Sequence, residues 1–385
     1  MKQKLFLAAM AAIAMTSCSN DETLEINTGT RQAIDFRTAM ATRAAETTIA
    51  TLDSFYVTAF NENIIDLPYF KDLKFKKEGS FFVSEDKYYY PGDGTDLTFY
   101  AYAPSATGLG TDSIEIDNTN KNLTLKDFSP ADSIPDQVDF ITANATGNKN
   151  NEKESVHLIF EHRLSQIEIQ AIQQDNKVYN FEIKGVRIAQ AISKGNFDFK
   201  NEEWTLSTDI TDKTNYKYEF DKAIPMTEQT ILMDECGGAM LIPQQLTAWD
   251  VVNDKKNTSK GAYISLLLRI TTKDGALVYP FKEDVEAKGE SEENKTYAWA
   301  AIPVGTKWEA GKKYVYRLNF ANGAGYVDPE EGSNQGEPIL DGEVKFDVEV
   351  TGWESREFPG DMENGDIPDV ENPDENDTED PWGGE

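Results

Sequence analysis

Short apolar runs broken by turn residues recur along the whole chain. Leu52–Phe60, Leu97–Tyr102, Val156–Ile172 and Phe181–Ile188 are rich in β-branched and aromatic residues, and clusters of Asn, Asp, Gly and Pro separate them, so each reads as a strand. Within the third run, Glu168 and Gln170 alternate with Ile167 and Ile169, which predicts one buried and one wet face. Asn196–Phe199 and Asn201–Trp204 close this first half. A second series follows at Met240–Pro243, Ala262–Ile270, Ala276–Phe281, Tyr297–Pro303, Tyr314–Phe320 and Val344–Val350. Helical periodicity longer than about a dozen residues is absent. The expected class is all-β, two sandwich domains in tandem over residues 44–204 and 205–356, with a single larger β-structure as the alternative.

The first residues follow a different pattern. Lys2 and Lys4 precede an apolar stretch from Leu5 to Met15, too short to span a bilayer, and Met15-Thr16-Ser17 leads to Cys18. This resembles a lipoprotein signal peptide over residues 1–17. The resemblance implies that Cys18 becomes the first mature residue and carries lipid, each buried methylene adding about 0.8 kcal/mol of membrane affinity. An ordinary secretory leader is the alternative. Ser19-Asn20-Asp21-Glu22 is similar to the acidic tag that sends Bacteroidales-type lipoproteins to the outer face of the outer membrane.

Cysteine, histidine and charge narrow the chemistry. Cys18 and Cys236 are the two cysteines, so a lipidated Cys18 leaves no intrachain disulfide. Cys236, in Asp234-Glu235-Cys236-Gly237-Gly238, has acidic neighbours that do not activate a thiol and reads as a passive residue near a turn. His157 and His162 are an odd distance apart and face opposite sides of any shared strand, so they cannot hold one metal ion together. The net charge is −31, and from Glu357 to Glu385 there are 12 acidic residues and no basic one. That segment, residues 357–385, is expected to be a disordered acidic tail, and nucleic acid is excluded as a partner. Asp374, Asp377 and Asp380 lack the spacing of a dedicated Ca²⁺ loop. No hydrolase elbow, nucleotide loop or zinc-protease motif occurs, so neither enzyme activity nor a cofactor is expected. Asp112-Ser113-Ile114 and Asp132-Ser133-Ile134 resemble short O-glycosylation acceptors of Bacteroidales exported proteins.

Four segments carry a resemblance to a family. Phe160-Glu161-His162-Arg163-Leu164-Ser165 resembles the Phe-x-His-x-Leu-Ser segment of the fimbrillins, the type V pilins and their relatives. Met240-Leu241-Ile242-Pro243-Gln244 is similar to their apolar Pro-Gln motif, Trp308 to Tyr316 to their Trp-x-x-Gly-x-x-Tyr segment, and Val350-Thr351-Gly352-Trp353 to their usual end. The resemblance spans residues 33–353 and implies two transthyretin-like sandwiches, lipoprotein export and assembly into a surface fibre. By chemistry these residues read as structural: His162 packs a strand, Pro243 suits a strand edge, and Trp308 and Trp353 are core aromatics with N–H groups near water.

The resemblance also singles out residues 18–43 as a propeptide. Ile34 and Phe36 share one side of a short strand, while Asp35 and Arg37 face outward. In the resembled family such a strand fills a groove and is removed by an arginine-specific protease. Thr42-Arg43-Ala44-Ala45 matches the cut site by position, Arg37 and Arg31 are alternatives, and a plain linker in a permanently anchored lipoprotein is the opposing reading. The implied partners are other fimbrial subunits, the lipoprotein-processing machinery, that protease, the membrane through the lipid, and a surface ligand of unknown kind. Phe358, Met362, Ile367, Val370 and Trp382 do not alternate, which makes the tail a poor donor strand. Either Glu343–Val350 donates or the subunit only accepts. A different class of function, a surface protein that binds glycans through Tyr88-Tyr89-Tyr90 or Trp249 and never polymerises, competes with the fibre reading.

Overall fold

The computed structural model describes residues 32–40, 51–111, 114–150, 155–173, 178–227, 229–233, 236–281, 296–321 and 323–352. Its first nine strands are β1 (Phe36–Met40), β2 (Ser54–Asn61), β3 (Phe70–Glu78), β4 (Phe81–Ser84), β5 (Leu97–Ala103), β6 (Glu115–Asp117), β7 (Asn122–Phe128), β8 (Ile141–Gly147) and β9 (Val156–His162). Then come β10 (Ser165–Ile172), β11 (Tyr179–Ile192), β12 (Gly195–Asp198), β13 (Glu203–Leu206), β14 (Lys213–Pro225), β15 (Thr230–Ile231) and β16 (Ala239–Leu241). The last are β17 (Tyr263–Thr272), β18 (Leu277–Tyr279), β19 (Ala298–Pro303), β20 (Lys312–Asn319), β21 (Gly323–Val327), β22 (Pro338–Leu340) and β23 (Lys345–Gly352). Among the described residues only two single 3₁₀ turns interrupt this all-β architecture.

Seven strands close a ring in the order β1-β4-β3-β2-β5-β8-β9. Every pair in it is antiparallel except β1 with β9. Leu97, Phe99 and Ala101 of β5 point into the ring, while Tyr100 and Tyr102 point out, where the small sheet β13-β12-β7-β6 covers them with Leu125, Phe197 and Phe199. Burial on both faces explains why β5 is apolar almost throughout. The other unit is a sandwich of the sheets β15-β10-β20-β23 and β14-β11-β17-β19-β21-β22, with β16 and β18 alongside, sharing one large apolar core.

Strand pairing crosses the expected boundary at 204/205. The run Val156–Ile172 breaks at Arg163 and Leu164 into β9, which stays in the ring, and β10, which pairs in parallel with β20 of the second unit. β11 also joins the second unit, and β12 and β13 then return to the first. At the crossing the Arg163 N–H donates to Phe140 O (2.8 Å) and the Trp204 indole N–H to Arg163 O (2.7 Å), so the return hairpin grips the connection. Hydrophobic alternation identifies a strand but not its partner, and the crossing is invisible to it.

Individual residues refine the expectations. His157 is exposed and His162 buried, with His162 Nδ1 2.8 Å from the buried Asp139 Oδ2. Trp308 is in the core, and its N–H donates to the buried Tyr316 hydroxyl (3.0 Å) rather than to water. Trp249, named as an exposed glycan contact in the competing reading, is 2% exposed, because its ring packs on Tyr263 and its N–H donates to Asp254 O (2.6 Å). Cys236 is buried, its thiol directed at Met233 O (3.5 Å).

Candidate functional site

The ring is closed by β1, which fills the gap between β4 and β9, neither of them its neighbour in sequence. Alternation sends Ile34 and Phe36 into the core, where Ile34 is 3% and Phe36 0% exposed. The Phe36 ring meets Phe75 edge-on with centroids 4.7 Å apart and Phe99 at 5.2 Å, and lies 6.0 Å from Phe55. Burial of these two side chains stabilises the docked strand by about 1.5–3 kcal/mol each.

Its backbone is held unevenly. Along β9 the pairing is continuous, from Phe36↔Val156 to Met40↔Phe160. On the other side β1 meets β4 only at Phe36↔Phe82. Before that point the chain runs against Tyr88–Tyr90 instead: Ile34 N–H donates to Tyr88 O (2.9 Å), Tyr90 N–H donates to Gln32 O (3.1 Å), and Ala33 bridges Tyr89. The three tyrosines therefore form a rail for the N-terminal segment. The Tyr88 and Tyr90 rings are committed inward as well, against Phe70 and Phe99, while the Tyr89 backbone carbonyl accepts from the Tyr69 hydroxyl (2.6 Å). Tyr88 and Tyr90 thus pack as a strand that alternates between core and surface is expected to, and do not form the sugar platform of the competing reading. The sequence carried no signal for the rail, since it and the segment it holds are far apart along the chain.

Asp35 and Arg37 lie on the outer side, both half-buried. Burial raises the Asp35 carboxyl above its ordinary value, against the opposing pull of Arg37. The Arg37 guanidinium sits over the Phe81 ring, 4.8 Å from its centroid. Its backbone pairs with His157, so the peptide bond after Arg37 is inside the sheet and closed to a protease, which needs an unpaired extended chain. Cys18, Arg31, Arg43, Trp353 and residues 357–385 lie outside the described residues. At the far end, β23 is, among the described residues, an edge strand paired with β20; its Val350 is 51% exposed and Phe346 is exposed too. Among the described residues no group of three or more His, Cys, Asp or Glu side chains is placed to hold a metal ion.

The fimbrillin-like family profile matches residues 42–353. The chain belongs to the fimbrillin-like family. Its members are fimbrial and adhesive surface proteins, not enzymes. The match begins directly beyond β1, so the strand that closes the ring lies outside the part this fimbrillin-like chain shares with the profile. Among solved structures, a fimbrial protein from Bacteroides vulgatus shares the fold, with a TM-score of 0.54 and 15% identity over 84% of this chain and 99% of that one. A protein assigned provisionally to cell adhesion from Bacteroides uniformis aligns with a TM-score of 0.45 and 15% identity over 84% and 99% of the two chains. No curated protein matches.

Proposed function

We propose that this fimbrillin-like chain is the precursor of a fimbrial subunit, exported as a lipoprotein on Cys18 and activated by cleavage after Arg43. The cut separates β1 from the body of the protein. What then holds β1 is non-covalent, and its loss opens the ring between β4 and β9 and bares a groove lined by Phe55, Phe75, Phe82, Phe99 and Phe160. An open sheet edge beside an apolar groove recruits a strand from a neighbouring subunit. The observation that carries this reading is Phe36, a fully buried side chain supplied to the centre of a core by a strand that the body contacts along one full edge.

On this reading β23 is the donor. Phe346, Val348 and Val350 alternate with Asp347 and Glu349, which suits a groove that takes every second side chain, and among the described residues β23 has a single neighbour to leave. The glycan-binding alternative loses its residues, since Trp249 is buried and Tyr88–Tyr90 hold the N-terminal segment.

Brief treatment of the purified precursor with a low dose of trypsin tests the proposal. The expected result is a new N-terminus at Ala44 and a ladder of heat-resistant bands on a gel. Cleavage inside the sandwiches with none near Arg43, or a clean cut at Arg43 that leaves a monomer, overturns it. Val348→Asp in β23 removes the ladder but not the cut if β23 donates; a ladder of normal length assigns the donor elsewhere.

A further inference from the structure

The chain is acidic overall, yet β3 reads Lys71-Asp72-Leu73-Lys74-Phe75-Lys76-Lys77, with all four lysines exposed. Phe75 points into the ring, so Lys74 and Lys76 stand on its outer face. The small sheet covers the outer side of β2 and β5 but leaves the outer side of β3, β4, β1 and β9 bare, where Ala39, His157 and Ile159 are exposed. Arg37 adds to the positive charge there, while Asp35, Asp72, Glu78 and Glu161 oppose it. Lys74 Nζ lies 5.6 Å from the Tyr56 ring centroid, and among the described residues Lys71, Lys74 and Lys76 have no carboxylate within 4.0 Å.

Residues 357–385 carry the opposite charge with nothing to balance it, 12 acidic residues and no basic one. The chain passes beyond the described residues at Gly352, which pairs with Lys312; the neighbouring Gly311 N–H donates to Leu164 O (2.9 Å), at the joint between β9 and β10. β3 runs in the same direction as β9, being antiparallel to β4, which is antiparallel to β1, which is parallel to β9. The lysine-rich end of β3 therefore points toward the end of the ring from which the tail departs. Residues 353–385 span roughly 100 Å when extended, several times the roughly 30 Å of the nine-residue β3.

We propose that the acidic segment 357–385 folds back over the outer face of β3 in its own chain and is held there by Lys71, Lys74 and Lys76. Tethering favours this chain's own tail over a neighbour's, because a linked segment meets its site at an effective concentration in the millimolar range. Pro359, Pro368, Pro373 and Pro381 prevent a regular added strand, so the contact is one of side-chain charge along an exposed face. It is screened by salt, the Debye length falling from about 10 Å at 0.1 M to about 3 Å at 1 M.

Carbodiimide cross-linking of a dilute equal mixture of light and ¹⁵N-labelled full-length protein, read by mass spectrometry, tests this. The expected products join Lys71, Lys74 or Lys76 to carboxylates of 357–385 within one isotopic copy, and their yield drops at least fivefold in 0.5 M salt and in K74E/K76E. Removal of residues 357–385 is expected to speed acetylation of Lys74 and Lys76 severalfold while leaving Lys255 unchanged. Cross-links only between light and heavy copies, tail products spread evenly over Lys255, Lys256 and the β3 lysines, or acetylation rates indifferent to the tail overturn the proposal.

Discussion

Phe36 and Phe75 stand edge to face at the centre of the ring, 4.7 Å apart with planes at 75°, although one belongs to β1 and the other to the body it closes. Such pairs add about 0.5–1.5 kcal/mol beyond the area they bury. The contact ties the integrity of the core to a segment outside the part of the chain that the family profile matches.

Phe36→Ala is expected to cost about 3–5 kcal/mol, the range for emptying a buried aromatic site. Urea unfolding of the intact precursor measures it. Ala39→Ser, at an exposed position of the same strand, is expected to stay within about 0.5 kcal/mol of the parent. Equal losses at both positions would contradict the packing described for β1.

Arg43→Ala is expected to abolish trypsin cleavage between β1 and β2, while Arg37→Ala leaves it unchanged, since the bond after Arg37 is paired with β9. N-terminal sequencing of the products distinguishes the two. Cleavage after Arg37 in the undisturbed precursor would show that β1 leaves the sheet before it is cut.

Asp35 gives β1 a pH dependence. Its raised carboxyl pKa means that the docked strand keeps a proton to higher pH than the free peptide does, so its contribution to docking falls as pH rises from the ordinary carboxylate value through the raised one. Once the chain is nicked after Arg43, the N-terminal peptide is expected to dissociate faster at pH 7 than at pH 4. Asp35→Asn slows release at pH 7 and flattens the difference from pH 4. Release rates followed by size exclusion provide the comparison, and a variant with unchanged pH dependence rules out Asp35 as its source.

In the second sandwich, the Arg187 guanidinium is held by Asp328 and Glu330 and stacks on Trp299 with its centre 4.6 Å from the ring centroid. Asp328 also accepts from the Ser265 and Tyr263 hydroxyls. Removing one partner strands a buried charge, so Asp328→Ala is expected to cost about 3–5 kcal/mol in urea unfolding. Arg187→Met with Asp328→Leu together is expected to cost less than Asp328→Ala alone, because no charge is then left unpaired. A double variant as unstable as the single one would contradict this.

Local chemistry made much of the architecture legible. β2, β5, β9 and the strands of the second series appear where apolar and β-branched runs are bounded by turn residues, and His157 and His162 face opposite ways because strand geometry leaves no choice. Trp249 escaped that logic: it stands outside the apolar runs, and only its contacts with the ring of Tyr263 and the carbonyl of Asp254 show it to be covered. The rail at Tyr88–Tyr90 escaped for the same reason. Its contacts are backbone to backbone, and a hydrogen-bonding main chain looks alike under every side chain.

By itself, then, the order of residues determined the all-β class, the alternation that turns Ile34 and Phe36 to one side, and the concentration of acid beyond residue 356. Each is a property of neighbours one to four positions apart. Tertiary structure alone decided that β1 lies between β4 and β9, that β10 and β11 cross into the second sandwich while β12 and β13 return, and that β23 remains at an edge. Those outcomes depend on which sheet edges are left unpaired once the rest of the chain has packed, and a competition among edges far apart in sequence leaves no trace in local periodicity.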